Sequence, residues 1–290
     1  MEGRAGNGTP GQSVRRVLAQ GEGWSLSDVA CTYGPRDRPF EERHSGFCIA
    51  LVLAGSFQYR SAHSRETMTP GSLRLGRPGQ FFECSHEHAA GDRCLSYCYT
   101  PEYFEEIVRD PGAPRRKPDF RLLRLPPLRP LSRLAARISA AAEGAAEEQW
   151  EELGVQLAVQ TMNLAGPGLS PLPSVTASAE ARVTRAARQI ERHPEGQLRL
   201  SDLAREAGLS RYHFLRVFEL VTGVSPHQYV LRARLRLAAV RLAVEPSRVL
   251  DIALDCGFGD VSNFNRAFHA EFGVAPRTYR RERTRHLAEE

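Results

Sequence analysis

The residues best suited to chemistry are crowded into one short stretch, with Cys84, His86 and His88 at alternate positions, followed by Cys94 and Cys98. On a strand, residues two apart point to one face, so Cys84, His86 and His88 can converge there. Cys94 and Cys98 can share a face of the next strand, across a short turn at 89–92. Imidazole and thiolate suit zinc, copper or iron, which makes Cys84, His86, His88 and Cys94 the candidate metal ligands. Two other readings stay open: a thiol pair that senses oxidants, or a His pair at a turn beside ordinary buried cysteines. No cofactor is required, and a metal ion at this cluster is the one the sequence admits. An enzymatic cupin would need His and carboxylate ligands in two motifs; the stretch 47–60 has no His, and only His44 stands nearby. There is no Ser/His/Asp set and no phosphate loop, so no catalytic residue is assigned.

At 290 residues the chain is long enough for two domains, each with its own core. Its net charge of +5 is unevenly placed: 181–290 carries 19 Arg against 13 acidic residues, while the rest carries 20 basic and 21 acidic. The excess positive charge therefore lies in the C-terminal part, where it suits nucleic-acid contact, although solvated helices are often basic as well. A nonspecific architectural DNA binder is a rival reading, but it would need many phosphate contacts and hence more charge. No apolar run is long enough to span a bilayer; the longest, 47–54, stops at Gly55. The first residues (MEGRAGNGTPGQS) lack the apolar core of a secretory signal. A cytoplasmic location without membrane contact is expected, and 1–22, Gly-rich and polar, is expected to be a disordered arm. Six Cys in that setting are thiols rather than a disulfide framework.

Strand-like segments at 46–55, 56–61, 72–76, 80–86 and 93–100, with turns at Pro70-Gly71 and Pro78-Gly79, predict a small all-β sandwich or barrel. A basic, Pro-rich stretch at 109–120 breaks the pattern. Helical spacing then recurs at Leu131, Leu134, Ala135 and Ile138, and again at Leu153, Val155, Leu157, Ala158 and Met162. Two helices joined near Gly144 are expected, packing on the β domain or pairing with a second subunit. The stretch 166–178 (GPGLSPLPSVTAS) reads as a linker.

An internal repeat dominates the remainder. Asp202, Ala204 and Gly208 recur as Asp251, Ala253 and Gly257. After one inserted residue, Phe214, Arg216, Phe218, Gly223, Val224, Pro226 and Tyr229 recur as Phe264, Arg266, Phe268, Gly273, Val274, Pro276 and Tyr279. Such density marks a duplicated structural unit. Each unit has the pattern of a helix-turn-helix. Gly208 or Gly257 forms the turn, Ser210 or Asp260 caps the second helix, and the paired Phe residues point inward. Arg211, Tyr212, Leu215, Arg216 and Glu219 of the first unit, and Val261, Ser262, Asn265 and Arg266 of the second, are left for a DNA groove. Asn can read adenine and Arg guanine by paired hydrogen bonds, and Val can meet a thymine methyl. Ser225-Pro226 starts a connecting helix to about Val244, roughly 27–28 Å long at 1.5 Å per residue. That length suits two reading helices about one DNA turn apart. Arg232, Arg234, Arg236 and Arg241 on this helix are expected to mix phosphate contacts with salt bridges.

The motifs A-x-x-A-G-L-S-x-x-x-F-x-R-x-F (204–218), T-G-V-S-P-x-x-Y (222–229), R-L-x-x-A (234–238), I-A-x-x-x-G-F-x-D-x-S-x-F-x-R-x-F (252–268) and F-G-V-x-P-x-x-Y-R (272–280) resemble the AraC/XylS family of transcription regulators. The resemblance implies a bihelical DNA-binding domain and an N-terminal cupin-like barrel that senses a ligand or mediates dimerisation. The chain departs from the family at Leu215, where many relatives carry a polar residue, so the first helix would rely on Arg211, Tyr212 and Arg216. The expected fold is α+β multidomain: a cupin-like β-barrel sensor (23–115), a helical packing or dimerisation segment (116–165), a linker (166–179) and an all-α DNA-binding domain (180–285). The expected function is sequence-specific transcription regulation under an effector, whether small molecule, metal or oxidant. Double-stranded DNA, RNA polymerase, a second copy of the chain and the unidentified effector are the expected partners.

Overall fold

A computed structural model of the chain describes residues 11–62, 64–86, 91–109, 118–142, 150–165 and 175–281. Among the described residues, the N-terminal half holds ten strands in two antiparallel sheets. The larger sheet has the order β1(Ser13–Gly21), β2(Trp24–Cys31), β9(Asp92–Tyr99), β4(Phe47–Gly55), β7(Leu73–Gly76), β10(Arg124–Leu125). The smaller has the order β3(Phe40–Arg43), β8(Phe81–Ser85), β5(Phe57–Arg60), β6(Arg65–Met68). Alternation along β4 shows how the layers are set. Phe47, Ile49 and Leu51 face an outer core shared with three helices, whereas Ala50 and Val52 face inward to Phe57, Tyr59, Met68 and Phe82 of the smaller sheet.

The three helices are α1(Pro101–Ile107), α2(Arg129–Ala142) and α3(Trp150–Leu164). Leu131, Leu134 and Ile138 of α2 join Leu153, Leu157 and Ala158 of α3 in that outer core. Of the two readings for this segment, packing on the β domain accounts for the buried faces of both helices. The expected junction at Gly144 lies outside the described residues.

Three expectations are corrected here. The disordered arm does not extend to residue 22, because Ser13–Gly21 is strand β1, paired along its length with β2. Its side chains are almost all exposed, so no apolar alternation marks it in the sequence; it is held by backbone bonds and by Arg16 on Asp28 at 3.1 Å. The β domain is also not one closed barrel. Among the described residues no ladder joins the edges of the two sheets, so they face each other as an open sandwich. The expected linker is likewise shortened at its end, since the next helix starts at Ala177.

The C-terminal half is helical: α4(Ala177–Arg192), α5(Leu200–Glu206), α6(Arg211–Thr222), α7(Pro226–Val244), α8(Val249–Asp255) and α9(Val261–Phe272). It has two cores, one per repeat. Val183, Ile190, Leu203, Phe214 and Phe218 build the first; Ile252, Phe258, Phe264, Phe268 and Phe272 build the second. Helix α7 serves both, with Tyr229 and Ala233 in the first and Leu235, Ala238 and Leu242 in the second. Its start is fixed by a capping box between Ser225 and Gln228 followed by Pro226 at the first turn.

Candidate nucleic-acid interface and sensor cleft

Each candidate reading helix begins at a side-chain cap. Ser210 Oγ accepts the His213 N–H at 3.3 Å, and Asp260 Oδ1 accepts the Asn263 N–H at 2.7 Å. The turns before them use Gly208 (φ +62°) and Gly257 (φ +85°), in the left-handed region that favours glycine. The first helix of the first unit, α5, begins after Arg199 without a side-chain cap.

On α6, Phe214, Val217, Phe218 and Val221 are buried, Arg211, Tyr212, Arg216 and Glu219 are exposed, and Leu215 is half-buried. Tyr212 is 78% exposed, a large ring left in solvent by the packing of its own helix. On α9, Phe264 and Phe268 are buried, Ser262, Asn265 and Arg266 are exposed, and Val261 is half-buried. Arg211, Arg216 and Arg266 enter no ion pair among the described residues, so their guanidiniums are free for phosphate or base edges. His213 and Asn263, also exposed in the first turns of these helices, were not singled out from the sequence; their helical positions beside Tyr212 and Ser262 were the available signal.

The salt bridges expected of the α7 arginines are present, alongside bonds to backbone carbonyls. Arg232 pairs with Glu271 at 3.3 Å and donates to the Pro127 carbonyl. Arg234 donates to the carbonyls of Pro194 and Gly196 at 2.7 Å each. Arg236 pairs with Glu191 at 2.5 Å, and Arg241 with Glu245 at 2.8 Å and Asp255 at 3.0 Å. These partners lie inside the domain and at its junction with the β half.

That junction is built from polar contacts. Glu180 at the start of α4 accepts from Thr67 of β6, and Arg188 of α4 donates to the Ser56 hydroxyl at 2.9 Å and carbonyl at 3.2 Å. At the other end, Ser132 of α2 donates to Glu271 of α9 at 2.5 Å. The β domain thus touches both halves of the repeat.

Within the β domain, a small cleft of about 50 Å³ opens between the sheets, lined by Phe57, Arg74, Cys84, His86, Asp92 and Cys94 among others. His86 reaches Asp92 at 2.6 Å, and one ligand atom each of Cys31, His86 and Asp92 lie within 4.8 Å of one another. Cys94 Sγ is 3.5 Å from Asp92 Oδ2. The candidate cluster is therefore rearranged. His86 is joined by Cys31 and Asp92, Cys84 joins no such group among the described residues, and His88 lies outside them. The reason is register: Cys31 of β2 stands directly opposite Asp92 of β9, a neighbour 61 positions away that no local spacing reveals. Burial pushes the Cys31 and Cys84 thiols up to about 12 each, and burial together with Asp92 raises Cys94 well above an ordinary thiol. A metal would have to displace those protons to bind sulfur.

A β-rich pocketed domain joined to a duplicated helix-turn-helix is the layout of a ligand-binding DNA-binding regulator. Residues 203–282 match a helix-turn-helix domain family, and residues 32–158 match the AraC-like ligand binding domain. The chain is 34% identical over 91 residues to the regulatory protein SoxS of Salmonella typhimurium, covering 31% of this chain and 85% of SoxS. It is 38% identical over 92 residues to the right origin-binding protein of Escherichia coli, covering 32% of each. The match thus spans most of the short relative but only about a third of the longer one. Among solved structures, the DNA-binding domain of AdpA in complex with a target DNA is similar at 27% identity, over 37% of this chain and 96% of that one, with a TM-score of 0.36. The chain belongs to the AraC family of transcription regulators. Of these, SoxS is a regulatory protein and AdpA a global transcriptional factor. No helix among the described residues is long and apolar enough to cross a membrane.

Proposed function

We propose that the chain reads a specific operator with α6 and α9 and that the state of the sensor cleft controls that reading. The observation that carries this is the exposure of Arg211, Tyr212, Arg216, Ser262, Asn265 and Arg266 on two capped helices, the second of which is bonded to the sensor half through Glu271 and Ser132. Arg211, Arg216 and Arg266 supply phosphate or guanine contacts, Asn265 an adenine contact, and Leu215 and Val261 apolar contact with bases. Double-stranded DNA is the partner, RNA polymerase the machinery acted on, and the cytoplasm the place where both are met. A second copy of the chain, bound side by side on a longer operator, completes the assembly. Genome-wide mapping of binding sites tests the reading. Discrete sites that share a motif support it, and uniform coverage with no motif overturns it.

The Cys31–His86–Asp92 group favours a second, finer reading, in which the effector is a soft divalent metal ion. Cys94 is placed beside it as a further donor. Titration of the full chain with Co(II) tests this reading. A thiolate-to-metal absorption band that is lost in Cys31→Ser supports it, and its absence at excess metal overturns it.

A further inference from the structure

Arg74 of β7 is a half-buried cation at the wall of the cleft. Its Nε is shut off from solvent and has no hydrogen-bond partner, and its guanidinium lies 5.3 Å from the ring centres of both Tyr59 and Phe82. No carboxylate among the described residues pairs with it. A guanidinium cannot shed its proton, so a half-buried one favours an anion nearby. The group its Nη2 reaches is Cys48 Sγ, at 3.5 Å. Cys48 is 3% exposed and sits on β4 directly opposite Cys98 of β9. The two sulfurs are 3.8 Å apart, and the Cys98 thiol donates to Cys48. Ser96 Oγ is a further 3.2 Å neighbour of Cys48, and both Ser96 and Arg74 line the cleft, so a water-sized molecule in the cleft is one side chain from the Cys48 sulfur.

We propose that Cys48 and Cys98 form a redox-active dithiol, with Cys48 held as a thiolate by Arg74 and Cys98 as the resolving thiol, and that a hydroperoxide oxidises the pair to a disulfide. Of the six cysteines, Cys48 alone is pulled below the ordinary thiol range, first by the Cys98 hydrogen bond and then by the charges of Arg74 and His44, against the opposing effect of burial. The other five are all pushed up.

The Cys48 thiolate attacks one peroxide oxygen, the O–O bond breaks, and the departing oxide takes the Cys98 proton, leaving sulfenic Cys48 and a Cys98 thiolate. The Cys98 sulfur then attacks the Cys48 sulfur and expels hydroxide, which is protonated to water. With hydrogen peroxide the balance is two thiols and one peroxide to one disulfide and two waters. Closing the sulfurs to the roughly 2.05 Å of a disulfide asks only for side-chain rotation between directly paired strands, whose spacing lies within the range that bridges accept.

The site is separate from the Cys31–His86–Asp92 group, and its test reads thiol chemistry rather than DNA binding. The full chain, reduced and then treated with chelator, is exposed to stoichiometric hydrogen peroxide, quenched, and mapped by mass spectrometry. The expected result is a single crosslink between the Cys48 and Cys98 peptides, reversed by dithiothreitol, with four thiols of six remaining. Cys98→Ser, a change at a half-exposed position, should leave Cys48 as a sulfenic acid trapped by dimedone. Cys31→Ser should form the crosslink as the native chain does. A folded chain in which Cys48 and Cys98 stay reduced at excess peroxide, or in which another pair crosslinks first, overturns the proposal.

Discussion

Ser132 of α2 donates a hydrogen bond to Glu271 of α9 at 2.5 Å, which ties the second reading helix to the segment that packs on the sensor sheet. Glu271 is 8% exposed and also faces Arg232 at 3.3 Å and Arg129 at 3.8 Å. One carboxylate thus gathers charges from the sensor-side helix and from the connecting helix α7.

Removing that carboxylate should cost stability and loosen the junction. Glu271→Ala leaves the largely buried Arg232 without its counter-charge, and a loss of about 1–3 kcal/mol is expected from the unsatisfied group. Glu271→Gln should lose less, because it still accepts from Ser132. Urea unfolding of the full chain measures this, and an unchanged midpoint for Glu271→Ala would sink the proposed linkage.

The reading residues make the opposite prediction. Arg216→Ala, Arg266→Ala and Asn265→Ala remove exposed side chains, so the melting temperature should barely move. Affinity for the mapped operator should fall by about 1–3 kcal/mol for each lost base contact, or roughly 5- to 150-fold. A phosphate contact would instead weaken all sequences alike and flatten the salt dependence. Wild-type operator affinity in both arginine variants would refute the assignment.

Two glycines with the same backbone separate strain from crowding. Gly257 and Gly273 both have positive φ, +85° and +75°. A Cβ at Gly257 would lie 2.6 Å from the Glu195 carbonyl oxygen and 3.0 Å from Arg234 Cζ, whereas one at Gly273 meets nothing within 4 Å. Gly273→Ala should therefore cost only the left-handed penalty of about 1–2 kcal/mol. Gly257→Ala should cost clearly more. Equal unfolding midpoints for the two variants would contradict this account.

Asp28 gives the sensor sheet an acid-sensitive clamp. The hydrogen bond from Arg93, and then that from Arg16, hold its carboxyl below the ordinary value of 3.8, against burial. A depressed carboxylate contributes stability that is full above the unfolded pKa and is lost as pH falls through the folded one. Asp28→Asn should thus destabilise at neutral pH by no more than about 1 kcal/mol, because both arginines are partly screened by solvent. The difference from wild type should shrink below about pH 4, where the unfolded carboxyl is protonated. Unfolding midpoints of both proteins across that range decide it, and a difference that grows towards acid would contradict the sign.

The helical half was largely legible in the residues. Caps at Ser210, Ser225 and Asp260, turns at Gly208 and Gly257, and inward Phe pairs are local signals: a helix closes its own hydrogen bonds within four residues, so its face and its ends are written in adjacent positions. The exposure of Arg211, Tyr212, Arg216, Asn265 and Arg266 follows from the same periodicity. Even there, the fate of Arg232 and Arg234 was not legible, because their partners Glu271 and Pro194 come from helix α9 and from the turn after α4.

The chemical cluster that first drew attention shows the limit from the other side. Alternation along one strand put Cys84, His86 and His88 together, but a sheet assembles its site across strands. Register set Cys31 against Asp92 and Cys48 against Cys98, while packing of the smaller sheet placed Tyr59 and Phe82 beside Arg74. The sequence by itself determined the duplicated reader and the presence of a β-rich sensor. Only the tertiary structure decided which thiols, imidazole and guanidinium share a cleft, because pairings 50 or more residues apart depend on strand order and leave no period in the chain.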